Sequence, residues 1–193
     1  MTTFRRMART YVRPALSVLA VFALLIAQFP ARTASAGTLS TARDYLTRQK
    51  ASLTTGEKHQ VYFTTATAVS GGAGTNKVIL QFPDADDGLW CRTAGTDLVT
   101  VDSTDPPGGS ESATNLPGTQ TAACTQGSGG SSFDKITISA VDNLSSATKY
   151  GFTVTDGATG KLGTPTAANN IKVIVTTNNG TTDVDSQTIA LAI

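Results

Sequence analysis

The chain has 193 residues, of which 39% are hydrophobic and 15% are charged, and its formal net charge is +1. Five of its 15 basic residues lie in the first 36 positions, so the remainder carries ten basic against 14 acidic residues, a net charge of −4. Because nucleic acids and anionic lipids bind clustered Lys and Arg, this acidic remainder excludes both as expected partners. Its length of about 157 residues fits one domain with one sizeable core.

The first 36 residues have the order of a secretory signal peptide. Four arginines precede an apolar run at residues 15–27, and the small-residue tripeptide at residues 34–36 follows. The apolar run is shorter than the roughly 20 residues that a membrane-spanning helix needs. We therefore expect residues 1–36 to be removed on export, leaving a secreted or cell-surface protein with no membrane contact. An uncleaved N-terminal anchor is the alternative.

Residues 37–57 are expected to form an N-terminal arm or a short helix. Ala42, Tyr45 and Leu46 have helical spacing, and the preceding Ser40 and Thr41 are residues that cap helices. This spacing supports only two turns, so an extended arm is the competing interpretation.

From residue 58 to residue 193 the hydrophobic residues alternate with polar ones, which predicts β-strands. Threonine is abundant there and suits the half-exposed face of a sheet. A Pro-, Gly- and Ser-rich loop is expected at 103–118. The turn signals have the spacing of an all-β, antiparallel β-sandwich. The predicted strands are 59–69, 76–83, 89–92, 97–101, 119–126, 133–141, 150–155, 170–177 and 184–193. The strand at 119–126 is expected to be short and to lie at the edge of a sheet.

Residues 46–83 resemble secreted bacterial surface proteins with immunoglobulin-like sandwiches. The strand at 61–66 contains the run FTT, and after a glycine turn the strand at 78–83 reads VILQFP, which is similar to the "FTT" and "I.L.FP" strands of those proteins. In those proteins such strands often open the domain. The resemblance implies an immunoglobulin-like fold and a location at the cell surface. It implies no catalytic residues, since those proteins are mostly uncharacterised.

The chain contains two cysteines, Cys91 and Cys124. In an exported chain an even pair indicates a disulfide. Closing the loop between Cys91 and Cys124 stabilises the fold by about 3–4 kcal/mol on the chain-entropy model. We expect the bridge to tether the loop at 103–118. A metal or redox role is not expected, because the CxxC spacing is missing.

Catalytic machinery is not evident in the sequence. His59 is the only histidine, and no G-x-S-x-G turn accompanies it. We therefore predict a solvent-exposed His59 at the start of a strand and a protein that is not an enzyme.

Three acidic residues, Asp84, Asp86 and Asp87, directly follow a predicted strand. Clustered carboxylates on a loop are the ligands that Ca²⁺ needs, although EF-hand spacing is missing. The competing interpretation is a solvated turn in which each Asp hydrogen-bonds the local backbone. Calcium is the only cofactor that the sequence suggests.

Trp90 is the only tryptophan and precedes Cys91. Packing in the sandwich core is one interpretation. The other is an exposed platform on which a sugar ring stacks.

Together these features predict a non-enzymatic structural or adhesive protein outside the cell. The alternative is an extracellular ligand-binding module, with carbohydrate as the ligand. The expected partners are other cell-surface proteins, a second copy of the chain, or glycans. The position of the apolar run at 189–193 distinguishes these functions. Inside the sheet it only completes the core, whereas at a sheet edge it pairs between subunits by strand addition.

Overall fold

The computed structural model describes residues 36–93, 95–102, 112–156 and 160–193. The predicted signal segment up to residue 35 and most of the predicted loop, residues 103–111, lie outside the described residues. The described part from Ala36 to Ile193 is one compact unit. It contains no helix that is long and apolar enough to span a membrane.

The described residues form an all-β structure with one short 3-10 helix, Asp84–Asp86. Its strands are β1 (Gly37–Thr38), β2 (Thr41–Leu46), β3 (Lys58–Thr64), β4 (Asn76–Gln81), β5 (Gly95–Asp102), β6 (Thr114–Asn115), β7 (Gly118–Thr125), β8 (Lys135–Val141), β9 (Lys149–Asp156), β10 (Ile171–Asn178) and β11 (Asp183–Leu191).

The strands are hydrogen-bonded in the order β1-β11-β10-β4-β8-β7-β5-β9-β3-β2, and β6 pairs with β9. The pairs β1–β11 and β6–β9 are parallel, and the other pairs are antiparallel. This mixed arrangement is compatible with a β-sandwich. Among the described strands, β2 ends the order, and the outer side of β11 pairs only with the two-residue strand β1.

The core is built from alternate residues of the central strands. Val78 and Leu80 of β4 and Ile136 and Ile138 of β8 have no exposed surface. Burying an aliphatic side chain of this size contributes about 1.5–3 kcal/mol relative to exposure. Period-two burial therefore fixes which face of each strand points inward.

The structure corrects three expectations about elements. The helix expected near residues 40–46 is wrong: the segment is the strand β2, in which alternate residues are buried. Residues 89–92 do not form a strand, and Cys91 makes only an isolated bridge to Leu162. β7 is not an edge strand, because it lies between β5 and β8.

Candidate functional site

The two strands β2 and β11 leave an open groove between them. We call this groove the seam. It is lined by residues 42–45 of β2 and residues 187–190 of β11, and its volume is about 360 Å³. Among the described strands, β2 pairs only with β3, and β11 pairs only with β10 and β1. Two strand edges therefore face each other across the seam without pairing.

The seam opens where the N-terminal arm changes partner. β1 runs parallel to the start of β11, and the N–H of Leu39 donates to the carbonyl of Ser186 at 3.3 Å. The next residue, Ser40, donates instead to the carbonyl of Thr64 on β3 at 3.1 Å. From this point β2 follows β3, so the rest of β11 loses the neighbour that β1 provides.

The outer edge of β11 offers backbone groups to the seam. The carbonyl of Ser186 faces outward, because it accepts from Leu39 of the arm. Backbone groups alternate between the two sides of a strand, so Thr188 and Ala190 direct their N–H and C=O groups to the same side as Ser186. That side is the seam.

The edge of β2 also directs backbone groups into the seam, from the opposite wall. The N–H of Thr47 donates to the carbonyl of Lys58 at 3.1 Å. The odd-numbered residues of this segment therefore direct their backbone groups toward β3. By the same alternation, Ala42 and Asp44 direct their backbone groups away from β3 and into the seam. Each wall therefore directs the backbone donors and acceptors of two residues into the seam.

A buried pair of a histidine and a carboxylate lies behind the β2 wall. The Nδ1 atom of His59 lies 2.7 Å from Oδ2 of Asp44, and neither side chain has any exposed surface. The imidazole also contacts Phe82 and Trp90, with ring centroids 5.4 and 5.7 Å away. Burial alone lowers the pKa of His59, but the charge and hydrogen bond of Asp44 outweigh it and raise the pKa above its usual value. The pair ties β2 to β3 by a contact between side chains.

A second acidic group, Glu57, lies near this pair. Its Oε1 accepts the backbone N–H groups of Arg48 at 3.3 Å and Lys58 at 3.0 Å, while Oε2 has no partner in the part of the chain that the structure describes. Burial raises the pKa of Glu57. The charge of His59 opposes that shift. Glu57, Asp44 and His59 thus form a buried polar cluster at the start of β3.

The prediction that His59 is solvent-exposed is wrong. Its residue number has the parity of Val61 and Phe63, which are also fully buried, so the alternation of β3 directs all three side chains inward. The imidazole is hydrogen-bonded to a carboxylate and enclosed by aromatic rings.

The outer face of β2 and its neighbours carries an aromatic and cationic patch. Tyr45 is 42% exposed and contacts Tyr62 edge-on, with ring centroids 5.8 Å apart. Nη1 of Arg43 donates to the hydroxyl of Tyr45 at 3.1 Å, and Nζ of Lys149 lies 5.5 Å from the centre of the Tyr62 ring. Arg43, Tyr62 and Lys149, together with Thr41, line a cleft of about 40 Å³.

Trp90 is part of the core, so the sugar-stacking interpretation of this residue is wrong. Its side chain has no exposed surface and stacks on Phe82, with centroids 4.6 Å apart and an interplanar angle of 15°. Both faces of a ring in this position are unavailable to a pyranose.

Asp87 ties the acidic turn to a segment that is distant in the sequence. The two carboxylate oxygens of Asp87 accept the N–H groups of Gly129 at 2.7 Å and Asp134 at 3.1 Å. Asp84 is exposed, and burial raises the pKa of Asp86. No cluster of three or more metal-binding side chains occurs within the described ranges. Asp87 therefore bonds the backbone of a distant segment rather than the local backbone, and calcium binding at this turn stays a prediction.

Asp134 is a buried acceptor that organises this region. Oδ1 accepts the N–H groups of Gly88 and Gly127 at 2.9 and 2.7 Å, and Oδ2 accepts those of Trp90 and Cys91 at 3.0 and 2.8 Å. Four backbone donors from two segments therefore converge on one carboxylate, which holds Trp90 and the following cysteine in place.

The predicted disulfide between Cys91 and Cys124 is confirmed. The two Cα atoms are 5.6 Å apart, and both residues are buried. The bridge connects the segment after the 3-10 helix to β7, close to the backbone that Asp134 holds.

Comparison with known proteins identifies no relative: no family model matches this chain, and neither a curated protein nor a solved structure matches it.

Proposed function

We propose that this protein has a non-enzymatic structural or adhesive role outside the cell and contacts another chain by strand addition at the seam. The observation that carries the proposal is the pair of unpaired strand edges, β2 and β11, facing one groove. An exposed edge is a template for pairing with another chain. Backbone hydrogen bonds then supply affinity, and side chains at alternate positions supply specificity.

Two features support the extracellular location. The order of basic, apolar and small residues in the first 36 positions is that of an export signal. The buried disulfide is typical of oxidising compartments. We also infer that the sandwich is immunoglobulin-like, on the resemblance at residues 46–83 and the many short antiparallel strands.

A non-enzymatic role is supported by the surroundings of His59. Its Nδ1 is bound to Asp44, and its ring lies against Phe82 and Trp90 with no exposed surface. A general base must reach the proton that it abstracts. No substrate reaches this imidazole in the folded chain.

The test begins with the full chain expressed in a bacterium and recovered from the culture medium and the cell envelope. Mass spectrometry of its first residue measures export and signal removal. Light scattering over a range of concentrations, with the disulfide intact, then measures assembly. The key variant is Ala190→Pro, which removes an N–H that, by the alternation along β11, points into the seam and away from β10. Ala190→Ser is the matched control, because it keeps that N–H.

We expect wild type and Ala190→Ser to grow into larger species with rising concentration and Ala190→Pro to stay monomeric. A wild-type monomer at every concentration refutes self-assembly. Assembly that Ala190→Pro leaves unchanged shows that the seam is not the contact.

A second candidate function, carbohydrate binding, is favoured by the patch at Tyr45. An exposed aromatic ring beside Arg43 and Lys149 suits a sugar that carries carboxylates, because the ring stacks and the cations attract. The assay is calorimetric titration with an oligogalacturonate and with its neutral methyl ester. Tyr45→Ala should weaken binding about two- to ten-fold, whereas Lys172→Gln on β10 should not. Equal binding of the acid and the ester contradicts this function. Binding of polyglutamate that is as tight as binding of the oligogalacturonate contradicts it as well.

A further inference from the structure

One buried carboxylate outside the seam is only partly satisfied. Asp185 of β11 has no exposed surface, and its Oδ2 accepts the N–H groups of Ala66 at 2.9 Å and Thr67 at 2.8 Å. No donor among the described residues bonds its Oδ1. Leaving a buried acceptor unsatisfied is costly, and for a charged group the cost is larger. The fold thus retains an acidic oxygen that lacks a donor.

The backbone of Gly37 lies directly against this oxygen. Gly37 is the register partner of Asp185 in the parallel pair of β1 and β11. A Cβ built on Gly37 would overlap Oδ1 of Asp185 and lie 3.2 Å from Oγ1 of Thr67. Only glycine fits this position, and its nitrogen is one bond from the Cα that contacts the carboxylate.

Gly37 is also the residue that follows the predicted cleavage point. The small-residue tripeptide ends at Ala36, so removal of the signal leaves Gly37 as the first residue. An N-terminal ammonium carries three N–H donors and a positive charge. A donor of this kind is what Oδ1 of Asp185 lacks.

We propose that cleavage between Ala36 and Gly37 completes this site, and that the new α-ammonium of Gly37 pairs with Oδ1 of Asp185. The inference rests on the export and signal removal in the proposed function, and it adds that processing stabilises the fold. A signal peptidase adds one water molecule across the amide bond. The carbonyl carbon of Ala36 becomes a carboxylate, and the nitrogen of Gly37 takes the protons and becomes the ammonium.

The experiment uses the exported protein, after mass spectrometry has identified its first residue. Transamination with pyridoxal phosphate converts the α-amine of an N-terminal glycine to an aldehyde and spares lysine side chains. We expect this conversion to lower Tm by about 3–8 °C. In Asp185→Asn the same conversion should leave Tm unchanged. Asp183→Asn is the matched control, since Asp183 is exposed on the same strand, and it should show the full decrease.

A second measurement does not depend on any variant. NMR titration of the ¹⁵N-labelled α-amine should give a pKa above the ordinary range of about 7.7–8.0, because the carboxylate favours the charged form. A first residue other than Gly37 overturns both this inference and the predicted cleavage position. A chain that begins at Gly37 but has an ordinary amine pKa and an unchanged Tm after transamination overturns this inference alone and leaves export standing.

Discussion

The buried pair of Asp44 and His59 gives the sharpest prediction about stability. The substitution Asp44→Leu keeps a side chain of similar size and removes the partner of Nδ1, which lies 2.7 Å away. His59 then remains fully buried with neither ring nitrogen bonded within the described ranges, because Nε2 already has no partner there. Breaking a buried pair in this way costs about 3–5 kcal/mol. We expect Asp44→Leu to lose that amount of unfolding free energy in urea titration.

The double variant distinguishes the pair from the packing around it. When Asp44→Leu is combined with His59→Phe, no polar group is left unpaired, and aromatic contact with Phe82 and Trp90 is retained. Apolar replacement of a buried ion pair is often neutral or stabilising. We therefore expect the double variant to recover most of the loss. Asp183→Leu is the surface control and should change stability by no more than about 0.5 kcal/mol.

The same pair predicts how stability depends on pH. The pKa of His59 is raised in the fold, so the folded state binds its proton more tightly than the unfolded state does. Its contribution is fully present below the unfolded value of about 6.5 and is lost as pH rises through the folded pKa. The unfolding free energy of wild type should fall over that window, and the double variant should lack the fall. Single-variant losses under about 1 kcal/mol, together with a flat pH profile, would refute the reasoning.

Three further predictions concern other buried polar groups and the disulfide. Glu57→Gln keeps the acceptor for Arg48 and Lys58 but removes a buried acidic group. The unfolding free energy at pH 7, measured by urea titration, should therefore rise by up to about 1 kcal/mol. A large loss would show that the carboxylate is needed. Asp134→Ala leaves four backbone donors unpaired and should lower the unfolding free energy by at least about 3 kcal/mol. The control Asp84→Ala, at an exposed residue, should leave the unfolding free energy almost unchanged. Equal losses in the two variants would contradict the role of Asp134. Replacing Cys91 and Cys124 by Ser opens a loop of sequence separation 33 and should lower Tm in calorimetry by about 8–15 °C; an unchanged Tm would show that the bridge does not restrain the unfolded chain.

The strands of the core were predictable from the sequence because burial leaves a period of two. Residues 76–83, 133–141 and 170–177 were expected to be strands, and β4, β8 and β10 occupy those positions. The disulfide followed from the count of cysteines. Strand order was not predictable, since pairs such as β3 with β9 join segments far apart in the chain and depend on the whole core.

The buried acids were missed because an acidic residue in a predicted strand is expected to face solvent. Asp44 has the parity of the buried Ala42 and Leu46, so its inward position follows once β2 is recognised as a strand. The helical spacing of Tyr45 and Leu46 concealed that signal. The pairing with β3 determines the outcome, because antiparallel partners satisfy the backbone of this short segment better than an isolated two-turn helix would.

Asp44 also explains why the seam has a fixed edge. Its side chain is bound to His59 on β3, while its backbone groups face the groove. The residue that anchors β2 to the core is therefore one of those that offer hydrogen bonds to an added strand. An edge held in this way does not need ordering before it pairs, so the proposed strand addition would avoid much of the entropic cost that a loose arm incurs. If the Asp44→Leu variant folds, it should also assemble less well than the Asp44→Leu/His59→Phe double variant, because only the double variant keeps β2 fixed to β3.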